Sequence, residues 1–143
     1  MEVKRDRKQR VMTLRQGAYV RQVLERYGMQ DCNPTKLPMQ PGLTFSLDDE
    51  PTDPPDPQTV TEFRAKIGSL IYAVKQTRLD IDYPLSVLAK HMGNPGPAHI
   101  KALHQLLRYL KGTQDLGLMY VGLKTLEIKG YCDASFNSCN MTA

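Results

Sequence analysis

Seven of the ten prolines in this 143-residue chain fall between Pro34 and Pro57. Proline fixes φ and removes an amide donor, so neither a helix interior nor a central strand can run through that stretch. Ordered elements must therefore be built from the segments on either side. An overlapping stretch is strongly acidic: Asp48 to Glu62 carries six acids and no base, net −6. Met1 to Arg26 has eight Lys/Arg against three acids, net +5, and Arg64 to Lys124 has nine against three, net +6. Pro51, Pro54, Pro55 and Pro57 among acids read as an extended linker, with an ordinary surface loop as the alternative. Two basic blocks around an acidic connector suit an anionic partner on each side, although the overall net charge of +4 alone says little.

With 41% hydrophobic residues, the chain suffices for one ordinary domain or two partial ones with a modest core, which excludes a large multidomain enzyme. No run reaches the roughly 18 to 20 apolar residues of a membrane span, and Met1 to Arg7 has no apolar stretch of the secretory kind. The expectation is an intracellular chain, cytoplasmic or nuclear, with no membrane partner. Cys32, Cys132 and Cys139 form no C-x-x-C pair and leave one thiol over, which fits a reducing compartment better than a disulfide framework or zinc ribbon.

Val3-Lys4-Arg5 and Val11-Met12-Thr13-Leu14 flank the polar run Asp6 to Arg10 and predict a hairpin with a basic tip. Val20, Val23, Leu24 and Tyr27 recur at helical spacing, and Gly28 sits where a C-terminal cap belongs, so a helix is expected near Gly17–Tyr27. Beyond the prolines, Val60, Phe63, Ile67, Leu70, Ile71 and Val74 form a broad apolar stripe. Thr59 with Glu62 three residues on has the capping-box pattern, which predicts a helix over Thr59–Gln76. Asp80 or Asp82 is a candidate cap for a third helix, Asp82–Met92, with Pro84 in its first turn. After the turn Asn94-Pro95-Gly96-Pro97, the residues Ile100, Leu103, Leu107 and Leu110 predict a fourth over Pro97–Lys111. Leu118–Val121 and Leu126–Cys132 read as a strand pair. The fold class that follows is α+β.

Lys4, Arg5, Arg7, Lys8, Arg10, Arg15 and Arg21 are candidate phosphate contacts, the sequence-independent part of nucleic-acid binding. A solvated basic face accounts for them equally well, and no aromatic platform is interleaved with them. Asp48-Asp49 has the look of a metal-binding pair but lies in the Pro-rich stretch, which offers no rigid strand to fix its geometry, and is set aside. Asp133 ends a β-rich run, where nucleases of the α/β kind put a metal-binding carboxylate, but one acid is not a site and no Asp, Glu or His follows it. His91, His99 and His104 form no H-E-x-x-H pair. No glycine-rich phosphate loop is present.

Gly68-Ser69-Leu70-Ile71-Tyr72, Thr77-Arg78-Leu79-Asp80-Ile81, Asn94-Pro95-Gly96, Leu107-Arg108-Tyr109-Leu110-Lys111-Gly112-Thr113 and Gly130-Tyr131-Cys132-Asp133-Ala134 together resemble the copia-type retrotransposon polyprotein, in that family's order and spacing. Met1 to Arg7 and Tyr27 to Pro34 match as well, so the resemblance spans nearly the whole chain. It implies that residues 1–41 are the end of the reverse transcriptase palm with the start of the thumb, 42–57 a Pro/acidic linker, 58–115 a helical thumb/connection-like region, and 116–143 a truncated start of a ribonuclease H-like domain. Asp133 then matches the first metal-binding acid of ribonuclease H, and the polymerase Tyr-x-Asp-Asp motif belongs upstream of Met1. Departures from the family are Leu79 in place of its usual Pro, Ser135-Phe136 where a Trp is usual, and Pro84 within a helix.

The implied function is a polyprotein fragment that is catalytically inactive alone and keeps weak contact with an RNA/DNA primer–template. It needs no cofactor itself, although Mg²⁺ serves the full-length family. Self-association through an exposed strand, Leu126 to Tyr131, is also expected. The alternative is a small helical interaction or nucleic-acid-binding module derived from such an element.

Overall fold

Asp56, rather than Thr59, opens the longest helix. Its carboxylate accepts the N–H groups of Gln58 and Thr59 at 3.4 and 2.9 Å and the Thr59 hydroxyl at 2.7 Å. Pro57 thereby becomes the first helical residue, where its missing amide costs nothing, and the helix starts two residues before the capping-box pattern indicates. The computed structural model describes residues 1–46, 49–53, 55–122 and 130. Their elements run β1 (Glu2–Asp6), β2 (Val11–Arg15), α1 (Gly17–Arg26), α2 (Pro57–Gln76), a 3-10 turn (Leu79–Ile81), α3 (Asp82–Ala89), α4 (Pro97–Gly112) and β3 (Gly117–Val121). The class is α+β, as the periodicities predict. The Leu126–Cys132 strand lies outside the described residues.

The four helices enclose the core, built from Val20, Val23 and Leu24 of α1, Phe63, Ile67 and Leu70 of α2, Leu85 and Leu88 of α3, and Leu103, Leu106, Leu107 and Leu110 of α4. α1 ends as its sequence dictates: Gly28 adopts φ +65°, and the Met29 and Gly28 N–H groups return to the carbonyls of Leu24 and Glu25 at 2.8 and 3.1 Å. It docks on α2 through Tyr19, whose hydroxyl donates to the Ser69 carbonyl at 3.0 Å, and Tyr27, whose hydroxyl meets Ser69 Oγ at 2.9 Å.

Two expectations about α3 need correcting. Neither Asp80 nor Asp82 caps it, because the preceding residue is Ile81 and the Asp80 carboxylate is engaged by Arg78. It also stops at Ala89 instead of Met92, since the chain tightens there into bonds from His91 N–H to Leu88 and from Met92 N–H to Ala89, turning the His91 ring inward. The Pro-rich stretch, where described, is a loop laid on the helices. Met39, Leu43 and Phe45 pack against the core, and Arg108 Nε donates to the Asn33 carbonyl at 2.6 Å. Its apolar residues, spaced between prolines, find the helical core to bury against.

The strands form one antiparallel sheet, ordered β1-β2-β3. Its registers bring Arg5, Met12 and Tyr120 into one row, and Lys4, Thr13 and Met119 into the next. No strand residue belongs to the core cluster, and Val3 and Met119 are 58% and 67% exposed.

Candidate nucleic-acid interface

The sheet is joined to the helices at two crossings, and one short segment holds both. β2 passes into α1 through Gln16, and α4 returns to β3 through Thr113. Thr77 Oγ1 donates to Gln16 Oε1 at 2.9 Å in a buried contact. Arg78, fully buried, donates from Nη1 to the Thr113 carbonyl at 3.0 Å and from Nη2 to Thr113 Oγ1 at 2.8 Å. The remaining side of its guanidinium grips Asp80 with two parallel bonds of 2.9 and 2.7 Å, and Tyr109 adds its hydroxyl to the same carboxylate at 2.9 Å. Burial would raise the Asp80 carboxyl, but the Arg78 hydrogen bonds and charge hold it below its ordinary range. Two of the family-like motifs, Thr77-Arg78-Leu79-Asp80 and Tyr109-to-Thr113, are thus the bracket that sets the sheet against the helices.

At the far end of the sheet, Asp6 organises the hairpin tip by accepting the N–H groups of Lys8 and Gln9, both at 2.9 Å. Arg10 takes the left-handed conformation, φ 56°, and its carbonyl accepts the Gly122 N–H at 2.7 Å. These turns gather Arg5, Arg7 and Arg10 around an open cleft of about 930 Å³ whose apolar walls are Met12, Val11, Val121 and Tyr120. Tyr120 is 51% exposed and shares a row and a sheet face with Arg5. It supplies the aromatic surface that the basic run lacks in sequence. The alternation of Leu118 to Val121 announces a strand, but only its pairing with β2 brings Tyr120 to the arginines.

The other sequence-predicted contacts do not converge there. Lys4 and Arg15 lie in rows of opposite orientation to that of Arg5, so they line the other face. Lys8 sits on the exposed turn. Arg21, on α1, has its Nη1 3.6 Å from the Asp115 carboxylate, an exposed pair of little energetic weight. Asp133 and Asp48 lie outside the described residues. Asp49 turns its carboxylate back onto the Ser46 N–H at 2.8 Å. Among the described residues no three His, Cys, Asp or Glu side chains come together as a metal site. Two of the histidines do meet, as His91 and His99 stack at 4.0 Å.

This is an α+β chain with a helical core and a protruding, arginine-tipped sheet. Over 136 residues, or 94% of its length, it is 34% identical to the retrovirus-related Pol polyprotein from transposon TNT 1-94 of Nicotiana tabacum, and covers 10% of that protein. An uncharacterized mitochondrial protein of Arabidopsis thaliana is 33% identical over 90% of this chain and 51% of its own length. The Pol polyprotein from transposon RE1 of the same plant is 36% identical over 86% of this chain and 8% of its own length. The chain is therefore similar, over nearly all its residues, to a short stretch of transposon Pol polyproteins, as its motifs indicate, and it spans at most about half of these relatives. No protein-family profile and no solved structure matches it. Among the described residues no helix is long and apolar enough to cross a membrane.

Proposed function

We propose that the chain is the part of a copia-type retrotransposon polyprotein that leads from the reverse transcriptase palm, residues 1–41, through a thumb/connection-like helical region, residues 58–115, into the start of ribonuclease H. In this reading the hairpin holds the phosphate backbone of an RNA/DNA primer–template. The supporting observation is the cleft at the hairpin tip, where three arginines stand beside an exposed tyrosine on a sheet braced to the helices by Thr77 and Arg78. Arginine forks match phosphate oxygens, and a ring beside them offers a base a stacking surface. Such contacts carry no base readout, so binding is weak and independent of sequence.

Alone, the chain neither extends a primer nor cuts the RNA of a hybrid. By the resemblance, the polymerase acids belong upstream of Met1, and Asp133 is the single ribonuclease H acid with a match. Mg²⁺ usually needs further carboxylates or phosphates to hold it, and would supply two-metal phosphoryl-transfer chemistry only where those converge.

Fluorescence anisotropy with a labelled hybrid duplex across a salt series tests the interface. Replacing Arg5, Arg7, Lys8 and Arg10 with Ala should weaken binding and lower the log–log salt slope by roughly 0.9 for each phosphate that is no longer neutralised. Unchanged affinity and slope would overturn the assignment. Mg²⁺-dependent hybrid cleavage that disappears in Asp133→Asn would overturn the inactive reading.

A further inference from the structure

The corner between α3 and α4 buries two imidazoles against each other. His91 and His99 are 2% and 0% exposed, with 17° between their stacked rings. Phe45, from the Pro-rich loop, packs on both, with its ring centre 4.5 Å from that of His99 and 5.4 Å from that of His91. His99 Nδ1 accepts the Gly96 N–H at 2.9 Å, so the proton of the neutral ring sits on Nε2, a buried atom with no hydrogen-bond partner. His91 Nδ1 lies 3.0 Å from Glu50 Oε1, and Asn94 Nδ2 donates to the Pro51 carbonyl at 3.1 Å. A Cβ on Gly96 would overlap the Asp49 carbonyl oxygen, so the loop backbone rests directly on the turn. The Phe45, Asp49, Glu50 and Pro51 contacts with the corner thus touch or adjoin the histidine pair.

We infer that this loop is an acid-released strap, closed over the α3–α4 corner while His99 is neutral and opened when His99 takes up a proton. A proton on Nδ1 would turn the acceptor of the Gly96 N–H into a second donor facing it. It would also set a cation against the stacked ring of His91, whose centre is 4.0 Å away. Glu50 stands beside His91, whereas His99 has the Gly96 N–H on one nitrogen and no hydrogen-bond partner on the other, so His99 is the responsive ring. The groups facing the pair are Glu50 and Asp49 from the loop and Arg64 of α2, whose Nε donates to the Met92 carbonyl at 2.9 Å, while Lys90 precedes His91 in the chain. Burial, and then His91, holds His99 below its ordinary value of 6.5 in the closed form. The open form therefore binds the proton first, and opening grows as the pH falls through that ordinary value. For one histidine that is protonated only when open, with a pKa of about 6.5, the opening constant rises about tenfold from pH 7.5 to 5.5.

The Gly96 amide reports this directly. In NMR-detected hydrogen exchange, corrected for the intrinsic pH dependence, its opening should increase about tenfold between pH 7.5 and 5.5. The amides of Leu70 and Leu107 should keep their protection. His99→Asn offers an Oδ1 acceptor to Gly96 but no titrating ring, so its response should vanish, whereas Glu50→Gln should retain it. A flat profile in the unaltered chain, a response that survives His99→Asn or is lost in Glu50→Gln, or equal deprotection of the helices would each overturn the strap. If His99→Asn does not fold, titration of the His99 Cε1 proton in the unaltered chain must share its midpoint with Gly96 opening, and a mismatch overturns it equally.

Discussion

A guanidinium with no exposure to water must find partners for its N–H groups inside the protein, and Arg78 forms four hydrogen bonds, two to Asp80 and two to Thr113. Arg78→Met should lower stability by about 2 kcal/mol, because it removes four hydrogen bonds and leaves the half-buried Thr113 carbonyl without its donor, while the more exposed Asp80 carboxylate keeps water and Tyr109. Arg78→Lys should recover only part of that, since a point charge cannot reproduce the planar fork. Urea titrations with unchanged slope would check both. The folded Asp80 carboxyl lies below its unfolded value of 3.8, so its contribution is present above that value and is lost as the pH falls through the folded one. Asp80→Asn should therefore start from a lower plateau at neutral pH and show a flatter loss of stability below pH 4, measured by the same titrations. In sequence, Asp80 reads as a helix cap because a short acid ahead of an apolar run is the usual cap signal. Arg78 is two residues away, too near to be suspected as a partner, and the bond became possible only when the 3-10 turn folded the two together.

Elements differ in how much of their geometry is local. The helices are legible because the 3.6-residue period of Val60 to Val74 and of Ile100 to Leu110 is a direct image of one buried face. Their ends are less so: α2 is capped by Asp56 and α3 stops early at Ala89, and both depend on which groups the surroundings leave available. The loop over the α3–α4 corner was the least legible element, since prolines and acids give the same pattern in a free linker and in a packed strap. Gly96→Ala tests that packing without touching a charge. Its Cβ would meet the Asp49 carbonyl, so the backbone at Asp49 must lift, with a loss of about 1 to 3 kcal/mol and faster proteolysis within residues 49–51. The basic hairpin is the reverse case, legible in outline but not in use. Seven candidate cations divide between two sheet faces, a tip and a helix, because alternation along a strand separates neighbours such as Lys4 and Arg5.

For the whole molecule, stability is unevenly distributed. The helices share one apolar core, whereas the sheet contributes no residue to it and is held by its own ladder and by the crossings at Gln16 and Thr113. Hydrogen exchange should therefore show β1 and β3 opening well below the global free energy, with α2 and α4 exchanging only on global unfolding. Equal protection in strands and helices would contradict that division. The four-alanine hairpin variant should leave the thermal midpoint within a few degrees of the unaltered chain, because exposed cations on a peripheral sheet contribute little to folding. What the sequence by itself determined was what period and punctuation carry, the α+β class, four helices and the hairpin, and, through its motifs, the similarity to transposon Pol polyproteins. Only the tertiary structure decided which distant residues meet: Gln16 with Thr77, Arg78 with Thr113, Tyr120 with Arg5, and His91 with His99. Periodicity reports which face of an element is buried, but it carries no information about what lies opposite, and these contacts join residues that only the packing of separate elements brings within reach.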